Sequence, residues 1–243
     1  MIPIIESICT TKIFLNSKGE IIDIDSQTSV EQCLFLQKII EDNHFIKSIE
    51  IGFGFGTSNL AITEAIVKNA GSHFVIKIQE DHWGGHGLDL ISQAGYVDKL
   101  EFCNKYCYEI LPQLLAENRY FDFAYIDSTK QFDWILVDFL YLDKILKIGG
   151  VIVFDDANFP GIRKLLRYIC QYPGYKIYAT FPENYKNGRK RRLLNLFRYL
   201  PKSSYFIRED IITSDFELNI NSGCVAIQKI DDDKRNWDWH VNF

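Results

Sequence analysis

From residue 46 onward, short apolar runs and helical spacings alternate along the chain. Apolar runs at 46–51, 73–79, 99–103, 121–126, 150–154, 175–180 and 223–229 predict seven strands. Helical patterns fill 57–70, 86–95, 106–118, 131–147 and 160–171. Phe123-Ala-Tyr-Ile126 and Val151-Ile-Val-Phe154 are apolar without interruption, as expected for strands covered on both faces. Repeated β-α units of this length predict right-handed crossovers and an α/β fold with a doubly wound, mostly parallel seven-stranded sheet. Ahead of it, residues 12–24 read as a hairpin around Asn16-Ser-Lys-Gly19. Thr28-Ser-Val-Glu31 matches a capping box that opens a helix to about Asn43. The pattern predicts a single domain over 1–243. It has an N-terminal appendage at 1–45, a core at 46–172, and last strands at 173–243 that carry an insertion at 182–222.

Composition narrows the class without naming an activity. Of 243 residues, 47% are apolar and 24% charged, enough for a packed core and a solvated surface. No run approaches the roughly 20 uncharged residues of a membrane span, and the first ten residues lack the pattern of a signal peptide. The six cysteines show no metal-type pairing, so free thiols and a cytoplasmic location are expected. A net charge of −5 disfavours wholesale nucleic-acid binding.

Chemistry enters after the first strand of the alternating region, at Ile49-Glu-Ile-Gly-Phe-Gly-Phe-Gly-Thr-Ser58. Glycine is costly to order, so three in five positions demand a tight turn or a close approach. A glycine turn that opens a helix presents backbone N–H groups to a ligand. Thr57 stands where a dinucleotide fingerprint needs its third glycine, and no Gly-Lys-Ser/Thr of a phosphate loop is present. Glu50, an acid at the end of a buried strand, could accept from a cationic or amino group.

Two later strand ends supply carboxylates. The fourth strand runs into Asp127-Ser-Thr-Lys130 and the fifth into Asp155-Asp-Ala-Asn-Phe-Pro-Gly161. Neighbouring parallel strands would bring Asp127, Asp155 and Asp156 to one rim. Clustered carboxylates need a compensating cation, and their hard oxygens suit Mg2+ or Ca2+. Such an ion could hold substrate oxygens and lower a hydroxyl's pKa, with a nearby lysine to remove the proton.

The segment Glu50-x-Gly-x-Gly-x-Gly-Thr-Ser58 resembles motif I of class I S-adenosylmethionine-dependent methyltransferases, which implies their Rossmann-like fold. The resemblance implies cofactor contacts from Glu50, Gly52, Phe53, Gly54, Gly56 and Ser58. Ile126-Asp-x-x-Lys130 followed by Asp155-Asp-x-x-x-Pro-Gly161 is similar to the arrangement in catechol O-methyltransferase-like small-molecule O-methyltransferases. That similarity implies Asp127, Asp155 and Asp156 as metal ligands, Asp127 also beside the cofactor, and Lys130 as the base. It covers roughly 46–172. S-adenosylmethionine, with Mg2+ as a further expectation, and a small hydroxylated substrate follow from it.

The chain departs from that pattern after the second and third strands. No acid ends the run His73-Phe-Val-Ile-Lys-Ile-Gln79, where the ribose would be held, so Gln79 or Glu80 must substitute. Trp83 is the candidate wall for the adenine and Tyr106 the candidate stacking partner. His82 and His86 flank two glycines and read as pocket loop rather than zinc site. The basic stretch Lys186-Asn-Gly-Arg-Lys-Arg-Arg192, with the apolar helix behind it, reads as a substrate lid or as a face packed on the sheet or on a second subunit of a homodimer. Two rival readings stay open: a methyltransferase-fold protein that binds or assembles without catalysis, and a nicotinamide-dependent oxidoreductase.

Overall fold

The computed structural model describes residues 3–24, 27–77, 85–182 and 213–243. The chain divides into two units, residues 1–128 with 140–150 and residues 129–139 with 151–243.

The first unit opens with a helix absent from the sequence reading, α1 (Pro3–Thr11), whose Ile5 and Ile8 are buried. The expected hairpin follows as β1 (Ile13–Leu15) and β2 (Ile21–Asp23), paired antiparallel. Helix α2 (Val30–Asp42) begins one residue later than the capping-box pattern implies. Ser29, not Thr28, is its N-cap and accepts from the Gln32 N–H at 3.2 Å. Thr28 is committed elsewhere, its N–H donating to Thr57 Oγ1 at 3.1 Å.

Strand-helix alternation then proceeds as the pattern predicts: β3 (Lys47–Ile51), α3 (Thr57–Lys68), β4 (Ser72–Ile76), α4 (His86–Gln93), β5 (Leu100–Cys103), α5 (Cys107–Ala116) and β6 (Phe121–Ile126). β3 pairs in parallel with both β4 and β6, and β4 with β5. Every residue of β6 is buried, which accounts for its unbroken apolar run.

Helix α6 (Phe132–Ile145) and strand β7 (Leu146–Phe154) run through both units. β7 starts four residues before the predicted 150, at Leu146, and passes through Gly149 at a left-handed φ of 87°. The second unit adds α7 (Pro160–Ile169), β8 (Tyr175–Phe181) and β9 (Cys224–Lys229). β9 runs antiparallel to both β7 and β8. The seven strands are ordered β5-β4-β3-β6-β7-β9-β8, a mostly parallel sheet.

The tail of the second unit is tied down by Arg235. Its guanidinium lies 3.8 Å from the Tyr172 ring centroid and 4.6 Å from that of Trp239, and it donates to both carboxylate oxygens of Asp233. Of the two tail tryptophans, Trp239 packs edge-on against Tyr168, whereas Trp237 is 98% exposed. All six cysteines are free, with Cys33, Cys107 and Cys224 buried. No helix among the described residues is long and apolar enough to cross a membrane.

Candidate cofactor site

The glycine loop lies wholly in the first unit, and its three glycines have three different physical reasons. All are left-handed, with φ of 101° at Gly52, 49° at Gly54 and 84° at Gly56. A side chain at Gly52 would collide with the Asp127 carbonyl oxygen. That close approach is locked by β-type bonds, since the Gly52 N–H donates to Ile76 O and the Asp127 N–H to Ile51 O. Gly56 forms the left-handed N-cap of α3, with the Phe53 ring and the Gly87 backbone close by. At Gly54, by contrast, a Cβ would meet nothing within 4 Å among the described residues. Backbone that is open at the middle of the loop and followed at once by a twelve-residue helix is a ready anion-receiving arrangement.

The flanking aromatic residues are structural. Phe53 is buried and meets Phe102 edge to face at 5.3 Å, and Phe55 meets Phe14 of the hairpin in the same way at 5.5 Å. The expected contact from Phe53 is therefore confined to its backbone, because its ring belongs to the core.

Glu50 is 1% exposed. Its carboxylate accepts from Ser58 Oγ at 2.7 Å and from Asn59 Nδ2 at 2.9 Å, and His73 Nε2 lies 3.0 Å away. The sequence reading expected cofactor contacts from Glu50 and Ser58, which the structure bonds to each other, and it missed Asn59 and His73 beside them. The signal for His73 is the β3–β4 register, which sets it beside Ser48 on the strand face that also carries Glu50. No single-strand pattern reveals a register. Nearby, burial pushes the Cys33 thiol well above its usual range, with the charges of Cys9 and Glu50 adding to the effect.

Of the residues expected around ribose and adenine, Gln79, Glu80 and Trp83 lie outside the described residues, as do His82 and the basic stretch 186–200. Tyr106 caps α5, its N–H donating to the Glu109 carboxylate at 3.0 Å. Its ring is 37% exposed and stacked on Tyr108 at 5.2 Å with the planes 11° apart. It presents a flat aromatic surface instead of filling the core.

In the second unit, the Lys130 ammonium lies 3.0 Å from Asp156 Oδ2. Asp156 adopts a left-handed φ of 51°, and its N–H donates to Asp155 Oδ1 at 2.8 Å. Gly161, beside Pro160 at the start of α7, packs on the Lys130 carbonyl so closely that no side chain would fit. The sequence places Lys130 and the Asp155-Asp156 pair together, and the structure does so too.

The metal expectation fares differently. Among the described residues no group of three or more His, Cys, Asp or Glu is gathered to hold an ion. Lys130 supplies Asp156 with the compensating charge that a cation was expected to provide.

Residues 49–157 match a family model described as a methyltransferase domain. Caffeoyl-CoA O-methyltransferase 2 of Petunia hybrida is 28% identical over 153 residues, covering 58% of this chain and 62% of that protein. The chain thus spans about three fifths of the length of such curated relatives. Among solved structures, the O-methyltransferase from Bacillus cereus in complex with SAH aligns with a TM-score of 0.59 at 20% identity, over 73% of this chain and 83% of that one. The O-methyltransferase TomG from Streptomyces achromogenes in complex with SAM aligns at 0.56 and 20% identity, over 63% and 74%. The chain has the fold of these O-methyltransferases, and its segment 49–157 matches the methyltransferase-domain family.

Proposed function

We propose that the chain is an S-adenosylmethionine-dependent methyltransferase acting on the oxygen of a small hydroxylated molecule. The observation that carries this reading is Gly54, left-handed and open, ahead of the α3 N-terminus inside the matched segment. The free N–H groups of the first turn of α3 suit a carboxylate, which the amino-acid end of that cofactor bears. The bound cofactor would supply an electrophilic methyl group. The chain's part is to seat it, hold the acceptor oxygen in line and exclude water, so that positioning and electrostatics lower the barrier.

Lys130 is the proposed acceptor of the hydroxyl proton. As an ammonium paired with Asp156 it must first release its own proton, which Asp156 or solvent can take. Asp127, anchored through its backbone to the glycine loop, is proposed to orient the acceptor hydroxyl. Assistance by Mg2+ belongs to the resemblance alone, and no step is routed through an ion. The name of the petunia relative makes hydroxylated aromatic acyl thioesters the first acceptors to try. A cytoplasmic location and a homodimer remain expectations.

A second reading, binding without catalysis, is favoured by one observation: Lys130 is already neutralised by Asp156. Calorimetric titration with S-adenosylhomocysteine and with NAD tests cofactor choice, and methyl transfer to hydroxylated aromatics tests catalysis. Binding of S-adenosylhomocysteine without transfer to any acceptor supports the second reading. Stabilisation by NAD alone sinks both.

A further inference from the structure

Behind the glycine loop runs a buried chain of polar side chains. Ser48 and Glu50 are two apart on β3 and so share one face of the sheet. Ser48 Oγ lies 2.8 Å from His73 Nδ1, and the other ring nitrogen of His73 lies 3.0 Å from Glu50 Oε2. Ser58 and Asn59 close the chain from the helix side. None of these five side chains is more than 5% exposed.

A carboxylate in such a place is expensive unless it is hydrogen-bonded and its charge balanced. Ser58 and Asn59 provide the bonds, and His73 meets the remaining need through Nε2. Ser48 suits either state of the ring, because its hydroxyl can donate to a neutral Nδ1 or accept from a protonated one. Asn59 gives its amide to Glu50 although its own Oδ1 is buried with no hydrogen-bond partner. Ser58 and Asn59 are the second and third residues of α3, so displacing the carboxylate displaces the turn behind Gly56.

We propose that His73 is a positioning residue for cofactor binding: held by Ser48, it fixes Glu50, which in turn fixes the first turn of α3 and the glycine loop in their receiving conformation. This inference rests on the methyltransferase reading above. It concerns affinity and not chemistry, so the KM for cofactor should rise while kcat at saturation stays unchanged.

Titration calorimetry with S-adenosylhomocysteine separates this role from simple structural support, because stoichiometry counts folded sites while Kd reports their fit. His73→Leu is expected to bind about tenfold more weakly at full stoichiometry, and His73→Gln, whose amide can still donate to Glu50, within about threefold of wild type. An unchanged Kd in His73→Leu beside a lowered melting temperature overturns the proposal and leaves the methyltransferase reading intact. If His73→Leu does not fold, Ser48→Ala carries the test: binding about threefold weaker supports the proposal, and wild-type affinity overturns it. Absence of S-adenosylhomocysteine binding by the wild-type protein overturns the methyltransferase reading and this proposal together.

Discussion

A side chain at Gly52 would strike the carbonyl oxygen of Asp127, so the loops after β3 and β6 meet backbone to backbone. Two residues further on, a Cβ at Gly54 would meet nothing within 4 Å among the described residues. The same motif therefore contains one glycine required by the protein and one available to a ligand.

Substitution should separate the two. Gly52→Ala combines an unfavourable left-handed backbone with a collision and should cost about 2–5 kcal/mol of stability, read by denaturant unfolding. Gly54→Val bears only the left-handed strain, about 1–2 kcal/mol, yet should abolish cofactor binding in calorimetry. Wild-type affinity in Gly54→Val would remove the loop from the cofactor site.

The chemical step should depend on the later loops and not on the glycines. Asp127→Ala and Lys130→Met are each expected to abolish methyl transfer while leaving S-adenosylhomocysteine affinity within about threefold. Full activity in Lys130→Met would show that another group takes the proton.

The Lys130–Asp156 pair also makes a statement about metal. With the Asp156 charge already compensated, turnover should persist in the presence of a chelator. A rate that rises with added Mg2+ and vanishes on chelation would restore the carboxylate-metal expectation and show that Lys130 yields its place to the ion.

Phe14 links the N-terminal hairpin to the glycine loop through its edge-to-face contact with Phe55. It is buried, so Phe14→Ala should cost about 3–5 kcal/mol by transfer and cavity terms together. A loss below about 1 kcal/mol in urea unfolding would mean that the hairpin is dispensable to the loop.

Docking of the tail should respond to acid. The Arg235 hydrogen bonds beside Asp233 hold its carboxyl well below the usual carboxylate range, outweighing the opposing effect of burial. A lowered folded-state pKa stabilises above the unfolded value of about 3.9 and loses that contribution as pH falls toward the folded value. Asp233 is more than a third exposed, so solvent screens the pair and the effect is modest. Tryptophan fluorescence should stay constant from pH 7 to about pH 4 and shift below it. Arg235→Ala should show the shifted signal already at neutral pH.

What the sequence determined alone is whatever depends on local periodicity. Short uninterrupted apolar runs such as Phe123–Ile126, too short for helices, read as strands covered on both faces, and their alternation with helical spacings predicts a mostly parallel sheet. The glycine loop and the Lys130/Asp155–Asp156 segments were legible for the same reason: each sits at a strand end that periodicity locates.

Tertiary structure decided everything set by register and by competition for partners. Whether Gly52 serves a ligand or the Asp127 backbone depends on how closely two strands approach, which neither strand records. The partnership of His73 with Glu50 arises from the β3–β4 register, a property of a pair. Ser29 rather than Thr28 caps α2, while the Thr28 N–H donates to Thr57, 29 positions away. Asp156 reads as a metal ligand in the sequence, and the folded chain pairs it directly with the Lys130 ammonium. A side chain's chemistry is written locally, but the atom that satisfies it is chosen in three dimensions.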